Sequence, residues 1–254
     1  MSTPDLPPLF EDLTFLSPMS DARAADLVRF LVDGRPRSVL DIGCGWGELL
    51  LRTLTSLPTA TGLGVDLEPQ RIEEARRRAR ARGLAERATF ETRDARTVTG
   101  PVDAVVCVGS SHVWGPPVEA GQPLDYAAAL TALRTLLPPG GRLLYGEAVW
   151  ASVPTPVATA ALGGGPEDYL PTQALVDLAA AHGFTVTGVD EAGLDEWDAF
   201  ESGFVRRLER WLEARPATHP GARAVRDQLD GQRSRYLDGY RGVYGMAYLT
   251  LVAD

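Results

Sequence analysis

The sequence contains no lysine: all 25 of its basic residues are arginine. With the abundant Ala, Gly and Pro, this reads as the coding bias of a GC-rich bacterial genome and carries no chemistry. Long apolar runs are missing too. None approaches the ~20 residues of a membrane-spanning helix, so no membrane partner is expected. The first residues, Met1-Ser-Thr-Pro-Asp-Leu-Pro-Pro8, lack a basic stretch followed by an apolar one and do not read as a secretory leader. Cysteine is scarce. Cys44 and Cys107 alone make a poor metal site, and no metal is expected. Two thiols suit a reducing compartment, which places the chain in the cytoplasm. Positive charge is outnumbered, 34 acidic residues against 25 basic ones, for a net charge of −9. A nucleic-acid binder normally carries a basic stripe. The densest basic run, Arg76-Arg77-Arg78-Ala79-Arg80-Ala81-Arg82, follows Glu73 and Glu74 on a predicted helix and reads as a solvated helix face. No nucleic-acid partner is therefore expected, and the sequence assigns no oligomeric state.

What remains is enough chain for one large domain, 254 residues with no internal repeat. Apolar spacing predicts a helix over 20–32 with Ser20 as its N-cap. Short apolar runs predict strands at 38–42, 61–66, 88–92, 102–108 and 142–147. Helices are predicted at 48–56, from Pro69 onward, and at 125–137. A further helix at 171–181 precedes strands at 184–189 and 243–252. Strands alternating with helices imply parallel pairing in a doubly wound sheet. The unbroken apolar character of the strands agrees, since parallel strands are covered on both faces. Two stretches do not fit a minimal sheet, 151–170 and 195–241. Each reads either as a substrate cap or as helical padding.

The loop after the first strand is Asp41-Ile-Gly-Cys-Gly-Trp-Gly47. In open α/β sheets, ligands bind at the carboxyl ends of the strands, and glycines let the backbone approach them closely. A dinucleotide fingerprint requires G-x-G-x-x-G, but Glu48 stands where its third glycine would fall. Asp41 also argues against a bound phosphate and suits a ligand with an ammonium group and a sulfonium. Asp66 ends the second strand, where a carboxylate can accept from ribose hydroxyls. Asp94 follows the third, within reach of an adenine amino group. Singly, each reads as a loop or helix cap; three acids at three successive strand ends read as a cofactor site.

The ordered series Val39-Leu-Asp-Ile-Gly-Cys-Gly-Trp-Gly-Glu48, Gly64-Val-Asp66, Arg93-Asp-Ala95, Val102-Asp-Ala-Val-Val106 and Leu137-Pro-Pro-Gly-Gly-Arg-Leu143 resembles the motifs of class I S-adenosylmethionine (SAM)-dependent methyltransferases. The resemblance implies a Rossmann-like, mostly parallel seven-stranded sheet with an antiparallel last strand. It implies one domain over 1–254, with a SAM-binding core at 20–150 and cap-like inserts at 151–170 and 195–241. Gly43, Cys44, Gly45 and Gly47 would lie against the methionine part of SAM and Asp66 would bind ribose. Leu67, Asp94 and Ala95 would border adenine, and Cys107, Val108 and Gly109 would run beneath the cofactor. Ser17-Pro-Met-Ser20, Val108-Gly-Ser-Ser-His-Val-Trp-Gly115 and Gly146-Glu-Ala-Val-Trp150 are similar to a poorly characterised bacterial subgroup that acts on small molecules.

Methyl transfer is an in-line displacement, so the protein must align acceptor and methyl and exclude water. A general base is needed where the acceptor holds an acidic proton. His112, past the fourth strand, and Glu147, at the end of the fifth, are the candidates, against packing or loop-fixing roles for each. Trp114 and Trp150 would either flank the mouth of an acceptor pocket, as apolar walls or as π-faces for a cation, or pack in the core; Tyr169, Tyr236, Tyr240 and Tyr244 are weaker candidates. His182 and His219 read as structural. The Asn-Pro-Pro-Tyr signature of nucleic-acid amino-methylation is absent, which points to an O, N or S atom of a small molecule. Two other readings compete: a non-catalytic SAM-binding or partner-binding protein, and an NAD-dependent oxidoreductase, which would need the missing G-x-G-x-x-G.

Overall fold

The computed structural model describes residues 6–115 and 124–254; most of the leader reading, at residues 1–5, lies outside them. Helix α1 (Asp21–Asp33) is capped by Ser20, whose Oγ accepts from the Arg23 amide at 3.2 Å. A cap of this kind contributes about 1 kcal/mol. Ala24, Leu27, Val28 and Leu31 form its buried stripe. Strand β1 (Ser38–Ile42), helix α2 (Glu48–Ser56), strand β2 (Thr61–Asp66), helix α3 (Pro69–Ala81) and strand β3 (Ala88–Thr92) follow where the periodicity places them.

Strand β4 (Ala104–Val108) begins two residues later than its apolar run, because the Asp103 carboxylate accepts from the amides of Arg37 and Ser38 and ties off the strand's start. Helix α4 (Tyr126–Thr135) is capped by Asp125. Strand β5 (Arg142–Trp150) runs three residues past its predicted end, because it pairs along its whole length with strand β7 (Tyr244–Ala253). Between them lie helix α5 (Pro156–Leu162), helix α6 (Thr172–Ala181), strand β6 (Phe184–Glu191), helix α7 (Leu194–Glu213) and helix α8 (Ala222–Ser234). A π-helical turn, Arg235–Tyr240, continues α8.

The sheet order is β3-β2-β1-β4-β5-β7-β6, and β7 runs antiparallel to both of its neighbours. Strand order reverses between β1 and β4, so their carboxyl ends open the crevice where such sheets bind ligands. Alternate residues of the strands feed two apolar layers. Val39, Val106, Leu144 and Tyr248 meet α1, α2 and α3, while Leu40, Val105, Tyr145 and Leu249 meet α4 and α6. A smaller cluster of Leu208, Trp211, Val225 and Leu229 joins α7 to α8. Among the described residues, no helix is long and apolar enough to cross a membrane.

The arginine-rich face of α3 is not simply solvated. Arg77 and Arg78 pair with Glu74, Arg78 and Arg82 reach Glu48 on α2, and the Arg76 guanidinium donates to the Phe90 carbonyl. The run fastens α3 to its neighbours.

Candidate active site

The glycine-rich loop folds over the end of β1 and is held from β2. Its Cys44 amide donates to the Val65 carbonyl at 3.0 Å, and its Gly45 amide donates to Asp66 Oδ2 at 2.9 Å. The other Asp66 oxygen accepts from the Glu68 amide at 2.9 Å. Gly43 and Gly47 have φ of +63° and +73°, a region costly for residues with a Cβ. A Cβ on Gly43 would also stand 2.0 Å from Ser110 Oγ, and one on Gly47 would stand 2.4 Å from the Phe90 ring. These contacts bring the ends of β1, β3 and β4 closer than any side chain would allow.

A groove of about 470 Å³ runs past this loop, lined by Gly43, Asp66, Leu67, Asp94, Ala95, Val108, Gly109 and His112 among others. Leu67 is 68% exposed, an apolar side chain left uncovered at the groove's edge. Asp94 caps the turn Ala95–Thr97 through the Arg96 amide. The Arg96 guanidinium also donates to it, holding its carboxyl below the ordinary range. At the other end, a pocket of about 50 Å³ is walled by Phe15, Leu16, Asp41, Gly43 and Cys44. Asp41 is buried there beside Asp66. Burial, then that neighbouring charge, pushes its carboxyl up to about 8 against the pull of the Leu50 amide. A buried carboxylate beside another acid calls for a cation. The cleft thus offers an acid for an ammonium group, glycine backbone for close approach, Asp66 for a sugar and an open apolar edge for a ring, which fits SAM.

The chain's relatives agree with that chemistry. Residues 39–141 match the methyltransferase domain family. The chain is 30% identical to the uncharacterized protein YjhP of Escherichia coli, over 93% of each chain. Two solved structures are similar almost end to end, both SAM-dependent methyltransferases in complex with S-adenosyl-L-homocysteine. The one from Thiobacillus denitrificans is 31% identical with a TM-score of 0.82, over 97% of this chain and 96% of that one. The one from Geobacter sulfurreducens is 29% identical with a TM-score of 0.83, over 98% of this chain and 99% of that one.

The chain belongs to the class I SAM-dependent methyltransferases. Its cofactor is SAM, and its substrate is a methyl acceptor. The NAD-dependent oxidoreductase and the non-catalytic SAM-binding protein both fall away.

Beyond Leu16 and Gly109, this methyltransferase has a second cavity of about 380 Å³. Both inserts wall it: Ala161 and Leu162 come from α5, Trp197, Phe200, Glu201 and Phe204 from α7, and Gln232, Arg235 and Tyr240 from α8 and its π turn. Ala148 and Glu147 of β5 and Tyr244 and Met246 of β7 form the sheet side. Leu16 and Gly109 line both this cavity and the cofactor groove, so the two spaces adjoin. The irregular segment carrying Leu16 is pinned at both ends. Trp46 Nε1 donates to the Thr14 carbonyl at 2.7 Å, and the Tyr248 hydroxyl donates to the Pro18 carbonyl at 3.0 Å.

The two base candidates separate. Glu147 borders the second cavity and is almost wholly buried, its oxygens accepting from the amides of Ser111 at 3.0 Å and Ala148 at 2.9 Å. Burial raises its carboxyl above the ordinary range despite those amides. His112 is exposed and lines the cofactor groove, on the Asp94 side.

The predicted pocket walls separate as well. Trp114 and Trp150 share no mouth: Trp114 packs with the α4 and α6 layer, Trp150 with the opposite one. Trp150 donates Nε1 to the Pro166 carbonyl and meets Tyr169 and Tyr244 edge-on, so it backs the cavity wall from behind. Tyr169 stands against Tyr244 at 4.9 Å in the same role. The Cys107 side chain is buried in the α4 layer, and only Val108 and Gly109 of that run line the groove. Both cysteines are free. His182 closes α6 through the Leu178 carbonyl, and His219 packs on Trp211. Leu16, Phe200, Glu201 and Gln232 escaped the sequence reading. Glu201 carried a signal, an acid in register with the apolar stripe Trp197, Phe204, Leu208 and Trp211.

Proposed function

We propose that this methyltransferase acts on an O, N or S atom of a small molecule held in the cavity beneath α7 and α8. The observation that carries the reading is the shared border at Leu16 and Gly109, which joins the second cavity to the cofactor groove. When bound, SAM supplies a methyl group on an electrophilic sulfonium. Asp41 is the partner for its ammonium group, Asp66 for its ribose hydroxyls, and Leu67, Asp94 and Ala95 for its adenine. Aligning acceptor and donor across this border is worth several powers of ten in rate. Glu147 takes the acceptor's proton where one must leave; His112 belongs to the donor side. A concave cavity of about 380 Å³ is of the size that holds a free small molecule. The acidic balance supports the same choice, and two free thiols support a cytoplasmic setting.

The test is a panel of phenols, amines, thiols and carboxylates offered with methyl-labelled SAM beside purified protein and nucleic acid. Label is expected in at least one small-molecule class. Label confined to the macromolecules would overturn the proposal.

A further inference from the structure

The charges around the acceptor cavity are unevenly answered. Elsewhere in the chain, the buried glutamates meet arginine: Glu48 meets Arg52, Arg78 and Arg82, Glu74 meets Arg77 and Arg78, and Glu196 meets Arg23. Glu201 is equally buried, at 6% exposure, but its partners are neutral. Its two oxygens accept from the Tyr240 hydroxyl at 2.6 Å and from Gln232 Nε2 at 2.7 Å. Arg235, which lines the same cavity, donates to Gln232 Oε1, and neither it nor Arg206, Arg233 or Arg241 of the pocket on the other side of Glu201 forms an ion pair with that carboxylate. Glu147, on the sheet side, likewise meets only amides. Neither glutamate forms an ion pair with a described residue. A buried carboxylate with no cationic partner is costly to ionise, and a cation brought beside it offsets that cost.

The walls add a second, independent preference. Trp197, Phe200, Phe204, Tyr240 and Tyr244 form a continuous aromatic lining, with ring centroids 5.0–6.3 Å apart along the chain of contacts. Aromatic faces attract cations, most strongly where water is excluded. An anion would meet two acids against the single guanidinium of Arg235. A neutral molecule would satisfy the rings but leave Glu201 unanswered.

We infer that the methyl acceptor carries an amine, bound as its ammonium ion beside Glu201 within this aromatic lining. The inference rests on the cavity being the acceptor site.

It is tested by binding, apart from turnover. Calorimetry on the enzyme saturated with S-adenosylhomocysteine would use 2-phenylethylamine, with 2-phenylethanol and 3-phenylpropanoate as neutral and anionic counterparts. The amine is expected to bind at least about tenfold more tightly than either counterpart. Glu201→Gln should remove that preference, and Phe200→Leu should weaken amine binding severalfold. Both variants should keep S-adenosylhomocysteine affinity within about twofold, which shows that they are folded. Equal or tighter binding of the alcohol or the carboxylate would overturn the amine class while leaving the small-molecule reading intact. Binding of none of the three would overturn it too. Transfer of label to macromolecules alone is a different failure, that of the cavity as acceptor site.

Discussion

At the residue scale, burial raises the carboxyls of two acids, Glu147 and Asp41, and each must be ionised to act. Glu147 sits among the phenols of Tyr126, Tyr145, Tyr169 and Tyr244, with Cys107 and His112 also near, and burial dominates its proton affinity. As a base it must be ionised, so kcat falls as pH drops through a pKa that lies above the ordinary 4.5. Glu147→Gln is expected to lower kcat roughly 10²- to 10⁴-fold and flatten that acid limb, with S-adenosylhomocysteine affinity unchanged. An intact kcat with weakened cofactor binding would instead make it a positioning residue that holds the Ser111 turn. Asp41 has its carboxyl pushed up to about 8, so the free protein holds a proton there at neutral pH. A bound ammonium favours the ionised form, so cofactor binding releases that proton and tightens as pH rises from about 6 to 8. Calorimetry in buffers of different ionisation enthalpy reads the release directly, and Asp41→Asn should abolish it.

At the scale of elements, the segment between the N-terminal turn Leu9–Glu11 and α1 matters more than its lack of regular structure implies. Leu13 packs against Gly203 of α7, where a Cβ would meet Leu13 Cδ2 at 2.1 Å. Three residues further on, Leu16 lines both the second cavity and the groove beside the glycine loop. Gly203→Val should therefore overpack the contact, cost about 1–3 kcal/mol and displace the segment. The measurable outcome is a Tm lowered by several degrees together with weaker S-adenosylhomocysteine binding; a change in Tm alone would detach Leu13 from the border. The π turn after α8 is the other such element. It directs Tyr236 and Tyr240 inward, where their hydroxyls donate to Asp198 and Glu201 of α7 and close the cap. Neither element showed in periodicity. An irregular segment has none to show, and a π turn differs from an α-helix by a single residue of register.

At the scale of the whole molecule, the start of the chain is joined to its later half through Glu196. This carboxylate accepts from the Ser20 amide at 2.7 Å, the Gly193 amide at 2.9 Å and the Arg23 guanidinium at 2.6–3.0 Å. Arg23 also reaches Asp190 and the Glu191 carbonyl. Although burial opposes it, this set of donors lowers the Glu196 carboxyl to about 2. The folded value lies below the ordinary one, so its contribution is complete above about pH 4.5 and disappears as pH falls toward 2. Glu196→Gln should cost up to about 3 kcal/mol at neutral pH. Its Tm should also fall less steeply than the parent's between about pH 5 and 3, as thermal unfolding across that range would show; equal slopes would assign the acid sensitivity elsewhere.

The donor half of the enzyme was legible in the residue string because its parts are local. A strand, a glycine turn and an acid at each of three strand ends lie within 60 residues, and short-range sterics place them in the cleft whatever the rest of the chain does. The same holds for Ser20, Pro69 and Asp125, whose capping chemistry acts over one turn. The acceptor cavity is different. Leu16, Gly109, Glu147, Glu201 and the pair Gln232 and Tyr240 come from five separate stretches, and only the antiparallel return of β7, with α7 and α8 folded between β6 and β7, brings them together. The two tryptophans were decided in the same way: Trp150, at the end of β5, packs on one face of the sheet, and Trp114, in the loop after β4, packs on the other. Which atoms face the donor is set by that long-range packing, which carries no period along the chain.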